Sequence, residues 1–183
     1  MVEPNEESLE KFNVDVKPFE QQLTWSCGPA SLRTVLYHHY TLDLTDRELA
    51  LVCGSNENGT DELNFERGLK ILGFKFKQYE RATLNKLKAW LIKGYLPIVH
   101  MVMSDGGGHY MVFCGYDENN VYLSDPAKGK IVSYGIPFFL GVWKEEELET
   151  QNRWFLVITG YTKNKIGALV KKLKHIKQKV EKS

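Results

Sequence analysis

The order in which helical and strand-like patterns occur along the chain constrains its fold more than any other feature of the sequence. Before Gly94, most apolar residues recur at intervals of three and four, which predicts helices. After Gly94, short alternating or continuous apolar runs are separated by turn-forming residues, which predicts strands. Helices that come first and strands that come later favour an α+β fold, with the helices packed on a mostly antiparallel sheet.

Capping residues and glycine stops set the predicted boundaries of the elements. Thr45 and Glu48 have the spacing of a capping box, and glycine commonly ends a helix. The four predicted helices run from Cys27 to about Tyr40, from Thr45 to Gly54, from Thr60 to Gly73 and from Thr83 to Gly94. The predicted strands are Phe74–Tyr79, Leu96–Met103, His109–Tyr116, Val121–Ser124, Ile131–Tyr134 and Trp154–Tyr161, with a loop and short helix over Phe138–Leu148.

The chain has 183 residues, which suits one domain with terminal extensions. We predict a flexible segment over residues 1–15, a single domain over 16–161 and a separate basic helix over 162–183. The net charge is +1, but the last 22 residues contain eight lysines and one glutamate. The domain is therefore mildly acidic and its C-terminal extension is basic.

Several function classes are not supported by the sequence. No run of about 18 apolar residues predicts a membrane span, and the acidic N-terminus does not resemble a secretory signal, so a cytoplasmic location is expected. The three cysteines are an odd number and lack the spacing of metal ligands, so the sequence suggests neither a disulfide framework nor a zinc site. There is no phosphate-binding loop and no basic aromatic pattern typical of nucleic-acid modules. We expect neither a cofactor nor a nucleic-acid partner, and the oligomeric state is not indicated.

Cys27 is the best candidate for a nucleophile among the three cysteines. Gly28 and Pro29 follow it, and proline at the first helical positions marks the start of a helix. The free amides and positive dipole end of a helix N-terminus stabilise a thiolate and lower the thiol pKa. Cys53, near the end of an apolar helix face, and Cys114, in a buried strand, are expected to be core residues.

A thiol nucleophile needs a base close to it in space, and His109 is the preferred candidate. It follows three glycines at the start of a strand, where backbone and substrate can approach closely. His100 lies inside an apolar strand and is expected to be a core or sheet-face residue. His38 and His39 lie two to three turns along the first helix, too far from Cys27.

Asp125 is the best-placed group to accept the second N–H of the imidazole and so orient it. A regular hairpin closed at Tyr116 and Val121 would set Asp125 opposite Val112, roughly 10 Å from His109 along the strand. The two side chains are therefore expected to meet only if the chain departs from a regular ladder. The alternative is that Asp-Pro is an ordinary turn.

Gln21 is the candidate donor for the oxyanion that forms during acyl transfer. It lies six residues before Cys27 and can present its side-chain amide beside the Cys27 backbone N–H. Gln22 and Gln151 are the competing glutamines.

Together these residues resemble the double-glycine leader peptidases, which are papain-like cysteine peptidases best known as cytosolic N-terminal domains of bacteriocin-exporting ABC transporters. The resemblance covers about Val16 to Leu140. The shared residues, in order, are Gln21, Cys27-Gly28-Pro29-Ala30, Gly108-His109-Tyr110-Met111-Val112 and Asp125-Pro126-Ala127. The chain looks most similar to free-standing members, in which Ser-Cys-Gly-Pro-Ala replaces the Asp-Cys-Gly of the exporters.

The resemblance implies a papain-like fold and a function for each of four residues: Cys27 as nucleophile, His109 as base, Asp125 as orienting acid and Gln21 as oxyanion donor. Ser26 stands where relatives often have an acid, so the function of that acid is expected to be absent. The leading hypothesis is hydrolysis of a peptide or protein substrate, as the exporter domains cut after a Gly-Gly leader. The alternatives are acyl transfer to an amine on the same fold, and a catalytically silent module that binds a peptide or leader.

The C-terminal extension is predicted to be an amphipathic basic helix from Lys163 to Lys182, with lysines between regularly spaced apolar residues. Docking on its own domain is one interpretation of this helix. Contact with an anionic membrane surface or an acidic partner is the other.

Overall fold

The structure is a computed structural model that describes residues 11–103, 106–143 and 153–161, together with His175 and Gln178. The acidic run at 145–147 lies outside these residues, as does the predicted C-terminal helix apart from His175 and Gln178, which are both helical and exposed. Within the described part of the chain, every helix is too short or too polar to cross a membrane.

In the described ranges, four helices agree with the predicted segments: α1 (Cys27–Tyr40), α2 (Asp46–Cys53), α3 (Glu62–Leu72) and α4 (Leu84–Ile92), with Lys93 rather than Gly94 as the C-cap of α4. A further helix, α5 (Ile136–Val142), begins two residues before the loop and short helix predicted over Phe138–Leu148. Thr45 and Glu48 form the predicted capping box of α2, and Thr83 caps α4. The predicted cap of α3 is wrong by one residue, because Asp61 accepts the Asn64 amide at 2.6 Å.

Thr60 does not cap α3 because its hydroxyl is used elsewhere. It donates to Ser55 Oγ at 2.7 Å and closes the loop between α2 and α3. An aspartate is as good an N-cap as a threonine, and the bond of Thr60 to Ser55 leaves Asp61 as the cap of α3.

The strands of the described residues belong to one antiparallel sheet. They are β1 (Phe12–Asn13), β2 (Phe74–Tyr79), β3 (Ile98–Val102), β4 (Gly108–Tyr116), β5 (Asn120–Asp125), β6 (Lys130–Gly135) and β7 (Phe155–Tyr161). The order across the sheet is β2-β7-β3-β4-β5-β6, and β1 pairs with β4 beyond the end of β3. Helix α1 packs on this sheet through buried residues such as Leu32 and Val35, and Ser31 donates to the Tyr110 carbonyl at 3.1 Å.

A β-bulge in β4 changes the hairpin register that the sequence predicted. Tyr116 pairs with Val121 as expected, but Phe113 pairs with Leu123 because Cys114 is an extra residue in β4. The regular register was therefore wrong by one residue beyond the bulge, and it is Ser124 that faces Val112. This register brings the end of β5 one residue closer to the start of β4, which is the departure that a meeting of their side chains required.

Candidate active site

Cys27 is the first residue of α1 and is buried, with 9% of its surface exposed. The next residue must be glycine, since a Cβ on Gly28 would lie 2.9 Å from Thr60 Oγ1 and 3.2 Å from the Phe65 ring. The loop before α3 thus packs closely on the start of α1. This packing fixes the thiol at the end of the helix where amide N–H groups lack intrahelical acceptors.

His109 enters the site from β4, directly after a glycine that the packing also requires. A Cβ on Gly108 would lie 2.5 Å from the His100 ring. His100 stacks on Tyr110 with 4.5 Å between ring centroids, so it is the sheet-face residue that the sequence predicted. His109 is the histidine that contacts the Cys27 thiol.

Asp125 lies at the end of β5 and reaches His109. Its Oδ1 is 2.8 Å from His109 Nε2 and also accepts the Ala127 amide at 2.9 Å. Because a carboxylate only accepts, Nε2 is the donor and Nδ1 is the ring nitrogen left for the thiol. Lys128 Nζ lies 3.4 Å from Oδ2 of the same carboxylate.

The electrostatics of the three side chains favour a thiolate beside an imidazolium. Burial opposes the charged form of Cys27, but hydrogen bonds from His109 and from the Tyr110 and Gly28 backbone, with the His109 charge, lower its pKa below 9.0. Burial also opposes charge on His109, yet hydrogen bonds with Asp125 and Cys27 raise its pKa to about 9. Such a pair can attack a carbonyl without first losing a proton to solvent.

Asp125 stays charged although it is almost fully buried. Burial alone would raise its pKa, but the hydrogen bond and charge of His109, the Ala127 amide and the Lys128 charge lower it. A charged carboxylate at this position holds the imidazole ring in one orientation and stabilises its protonated form.

Gln21 lies against this site, but its side-chain amide is already used. Its backbone N–H donates to the Pro126 carbonyl at 2.8 Å, next to Asp125. Its Nε2 donates to the carbonyls of Leu23 and Thr24 at 2.8 and 2.9 Å, and its Oε1 is buried with no partner among the described residues. The predicted oxyanion donor is thus close to the site, with both side-chain N–H groups bonded within its own loop.

Asp46 is a buried carboxylate beside the site that sequence reasoning missed. Its Oδ2 accepts the Ser26 hydroxyl at 2.6 Å and the Gln22 amide at 2.7 Å. An acid from α2 therefore contacts the residue before Cys27, where the chain itself has Ser26. The sequence signal was weak, because an aspartate in the first turn of a helix is common and usually exposed.

Two open grooves adjoin the site. One of about 440 Å³ lies beside the start of α1 and is lined by Trp25 and residues 55–58. The other, of about 320 Å³, adjoins His109 and is lined by apolar side chains such as Met103, with Lys128 on its wall. Within the described ranges, no cluster of three or more His, Cys, Asp or Glu side chains has the geometry to hold a metal ion.

The sequence matches one protein family over most of its length: residues 15–146 match the model of the Peptidase C39 family. An uncharacterised protein of Methanothermobacter thermautotrophicus is 35% identical over 118 residues, or 61% of this chain and 72% of that protein. The lactococcin-G-processing and transport ATP-binding protein LagD of Lactococcus lactis is 27% identical over 113 residues. That alignment covers 61% of this chain and 15% of the length of LagD.

Solved structures share the fold. The peptidase domain of Streptococcus ComA, a bifunctional ABC transporter, superimposes with a TM-score of 0.66 at 23% identity, covering 80% of this chain and 98% of that domain. A putative C39-like peptidase from Bacillus anthracis gives 0.64 at 18% identity, covering 84% and 100%. A double-glycine-motif protease from an AMS/PCAT transporter, solved with its leader peptide, gives 0.62 at 23% identity, covering 82% and 94%. The predicted papain-like α+β fold is confirmed.

Proposed function

The chain belongs to the Peptidase C39 family, and on that premise we propose that it is a cysteine peptidase in which Cys27, His109 and Asp125 act as a catalytic triad. One observation carries the proposal. An unbroken chain of contacts runs from the thiol to the imidazole and from its Nε2 to Asp125 Oδ1 at 2.8 Å. A cysteine that only fills a hydrophobic core does not require contacts with a histidine and a carboxylate.

In the proposed reaction, the Cys27 thiolate attacks the carbonyl carbon of a peptide bond. The C–S bond forms while the carbonyl electron pair moves to oxygen. As the oxyanion collapses, the C–N bond breaks, and His109 gives its proton to the leaving amine. His109 then takes a proton from water, the resulting hydroxide attacks the thioester, and the thiolate leaves with the acid product released.

The oxyanion is proposed to be stabilised by the Cys27 backbone N–H and by the side-chain amide of Gln21. Gln21 supports this assignment through its bond to the Pro126 carbonyl, which ties it to the residue after Asp125. Because both N–H groups of its Nε2 are bonded to Leu23 and Thr24, Gln21 has to exchange one of these acceptors for the oxyanion. The expected cost is small, since one hydrogen bond replaces another.

The proposed substrate is a peptide with a double-glycine-type leader. The open grooves beside Trp25 and beside His109 give room for a peptide chain near the catalytic residues. The AMS/PCAT protease in complex with its leader peptide supports a peptide ligand by analogy. A cytoplasmic location is also proposed, because the three free cysteines suit a reducing compartment.

The proposal is tested by incubating the protein with a library of synthetic peptides that contain Gly-Gly or control dipeptides, followed by mass spectrometry. Wild type should release fragments cut after Gly-Gly, and Cys27→Ala should release none. Equal cleavage by Cys27→Ala would refute the nucleophile.

The same experiment separates the two alternatives. Products that carry an added amine in place of water would indicate acyl transfer. Peptides retained by the protein without any cleavage by wild type would indicate a binding module.

A further inference from the structure

We propose that Asp46 is a positioning residue for acyl transfer: its buried carboxylate fixes the segment from Gln21 to Ser26, and this segment carries the oxyanion donors to the start of α1. The inference rests on the proposed function, because an oxyanion has to form for the position of its donors to matter. Asp46 itself contacts neither the thiol nor His109 among the described contacts; it acts through Ser26 and Gln22.

The carboxylate holds this segment at two points. Asp46 Oδ2 accepts the Gln22 amide at 2.7 Å, next to the proposed oxyanion donor, and the Ser26 hydroxyl at 2.6 Å, next to the nucleophile. Hydrogen bonds of this length from a hydroxyl to a carboxylate are charge-assisted and strong. A single oxygen thus sets the distance between the two ends of the segment.

The Ser26 hydroxyl is unusual because it does not cap its own helix. Ser26 is the N-cap residue of α1, a position where serine normally accepts an amide N–H of the first turn, but its side chain makes no such bond. It donates to Asp46 and accepts the Leu23 amide at 3.1 Å. The Gly28 amide is therefore left to the Cys27 sulfur.

Asp46 is a costly residue to keep for stability alone. It is fully buried, and its second oxygen, Oδ1, has no partner among the described residues. An unpaired buried acceptor destabilises a fold, even where a helix N-terminus offsets part of the charge. A residue that keeps this cost while it bonds both ends of the catalytic segment is best explained by the geometry it imposes.

The test compares two reactions of the same thiol in the full chain. Acylation by p-nitrophenyl acetate forms an oxyanion, whereas alkylation by iodoacetamide does not. Both rates are measured at a pH where the thiolate is fully formed. In Asp46→Ala, acylation should fall at least tenfold while alkylation stays within threefold of wild type.

Two further variants keep the test decisive. Ser26→Ala leaves the Asp46–Gln22 bond in place, so it should disturb folding less than Asp46→Ala does. It should lower the acylation rate at least threefold and leave the alkylation rate unchanged. Thr83→Ala removes the cap of α4, a helix that contributes no residue to the site, and should lower the melting temperature while both rates stay within threefold.

The outcomes separate this inference from the proposed function. Wild-type acylation rates in Asp46→Ala and Ser26→Ala would overturn the inference alone. Acylation and alkylation that fall in parallel with thermal stability would also overturn it, since Asp46 would then be only structural. A wild-type protein that p-nitrophenyl acetate does not acylate at Cys27 would overturn both the proposed function and the inference.

Discussion

The start of α1 and the end of α2 each carry a buried cysteine, and the two thiols are driven in opposite directions. Cys27 begins α1, and its pKa is lowered below 9.0 by His109 and by backbone amides in spite of its burial. Cys53 ends α2, and burial raises its pKa to about 12. Burial therefore does not decide whether a thiol is reactive; the groups that face it do.

His109 is the main cause of the low Cys27 pKa and burial is the cause of the high Cys53 pKa, and the two helix ends act in the same directions. Amide N–H groups and the positive dipole end face an anion at the start of a helix, whereas carbonyl groups and the negative end face it at the end. Cys53 instead packs against α3, where a Cβ on Gly68 would lie 2.5 Å from its sulfur. The start of α1 thus favours a charged Cys27, whereas Cys53 at the end of α2 is a close-packed core residue.

The largest difference in activity is expected between two single variants, in which either Cys27 or Cys53 is replaced by alanine. Cys27→Ala should abolish peptide cleavage, at least about 10³-fold, because the nucleophile is lost. Cys53→Ala should keep cleavage within about threefold and should destabilise the protein by about 1 kcal/mol, because only a small cavity forms. Steady-state cleavage assays and denaturant unfolding measure both. Comparable losses of activity in the two variants would show that Cys27 is no more important for cleavage than Cys53.

Removing the carboxylate behind His109 should have the next largest effect. Asp125→Ala should lower kcat/KM about 100-fold, since the imidazole loses its orientation and the charge that stabilises its protonated form. The His109 pKa, which Asp125 helps to raise to about 9, should move down toward its usual 6.5. NMR titration of the histidine ring follows this change. An unchanged His109 pKa in the variant would show that Asp125 does not act on it.

The rate of peptide cleavage by wild type, measured as a function of pH, should show a plateau whose two limits are set by Cys27 and His109. Activity should fall at acid pH as the Cys27 thiolate takes up a proton, at a pH below 9.0 because its pKa is lowered. It should fall again near pH 9, where His109 loses the proton it gives to the leaving amine. When the His109 pKa is measured by NMR titration, His39 serves as the reference histidine, because burial and the His38 charge lower its pKa to about 4. A single rise near pH 9 without a descending limb would contradict the ion pair.

The smallest effects compare the glycines that pack at the two helix ends. Gly28→Ala and Gly68→Ala should each destabilise the protein by about 1–3 kcal/mol, because the added Cβ lies within 3 Å of neighbouring atoms. Only Gly28→Ala should also slow alkylation of Cys27, since it displaces the start of α1. Thermal unfolding and alkylation rates measure the pair, and equal alkylation rates in both would show that the packing at Gly28 does not position the thiol.

The sequence predicted the helices well because their signals are local. Periodic apolar residues and capping threonines identified α1 to α4, with small errors at the helix ends: Asp61 rather than Thr60 caps the start of α3, and Lys93 rather than Gly94 caps the end of α4. The contact between His109 and Asp125 depends on a non-local feature. Cys114 is an ordinary strand residue in the sequence, and it becomes a bulge only when β4 pairs with β5.

The supporting residues of the site were harder to find for the same reason. Cys27 stood out because Gly28 and Pro29 mark a helix start, and His109, Asp125 and Gln21 were candidates from their positions in the sequence. The resemblance to a family then implied a function for each of them. Asp46 lies 19 residues after Cys27 and its carboxylate meets Ser26 only after α2 folds back on α1. No local pattern distinguishes it from the aspartates that merely begin helices.

The most direct test of the account is the alkylation of all three cysteines in the folded protein as a function of pH, followed by mass spectrometry of each site. We predict that iodoacetamide modifies Cys27 with a midpoint at lower pH than a cysteine in an unstructured peptide under the same conditions, while Cys53 and Cys114, whose pKa values burial raises to about 12, stay unmodified. A midpoint for Cys27 at or above that of the peptide cysteine, or modification of all three cysteines at similar rates, would contradict the account.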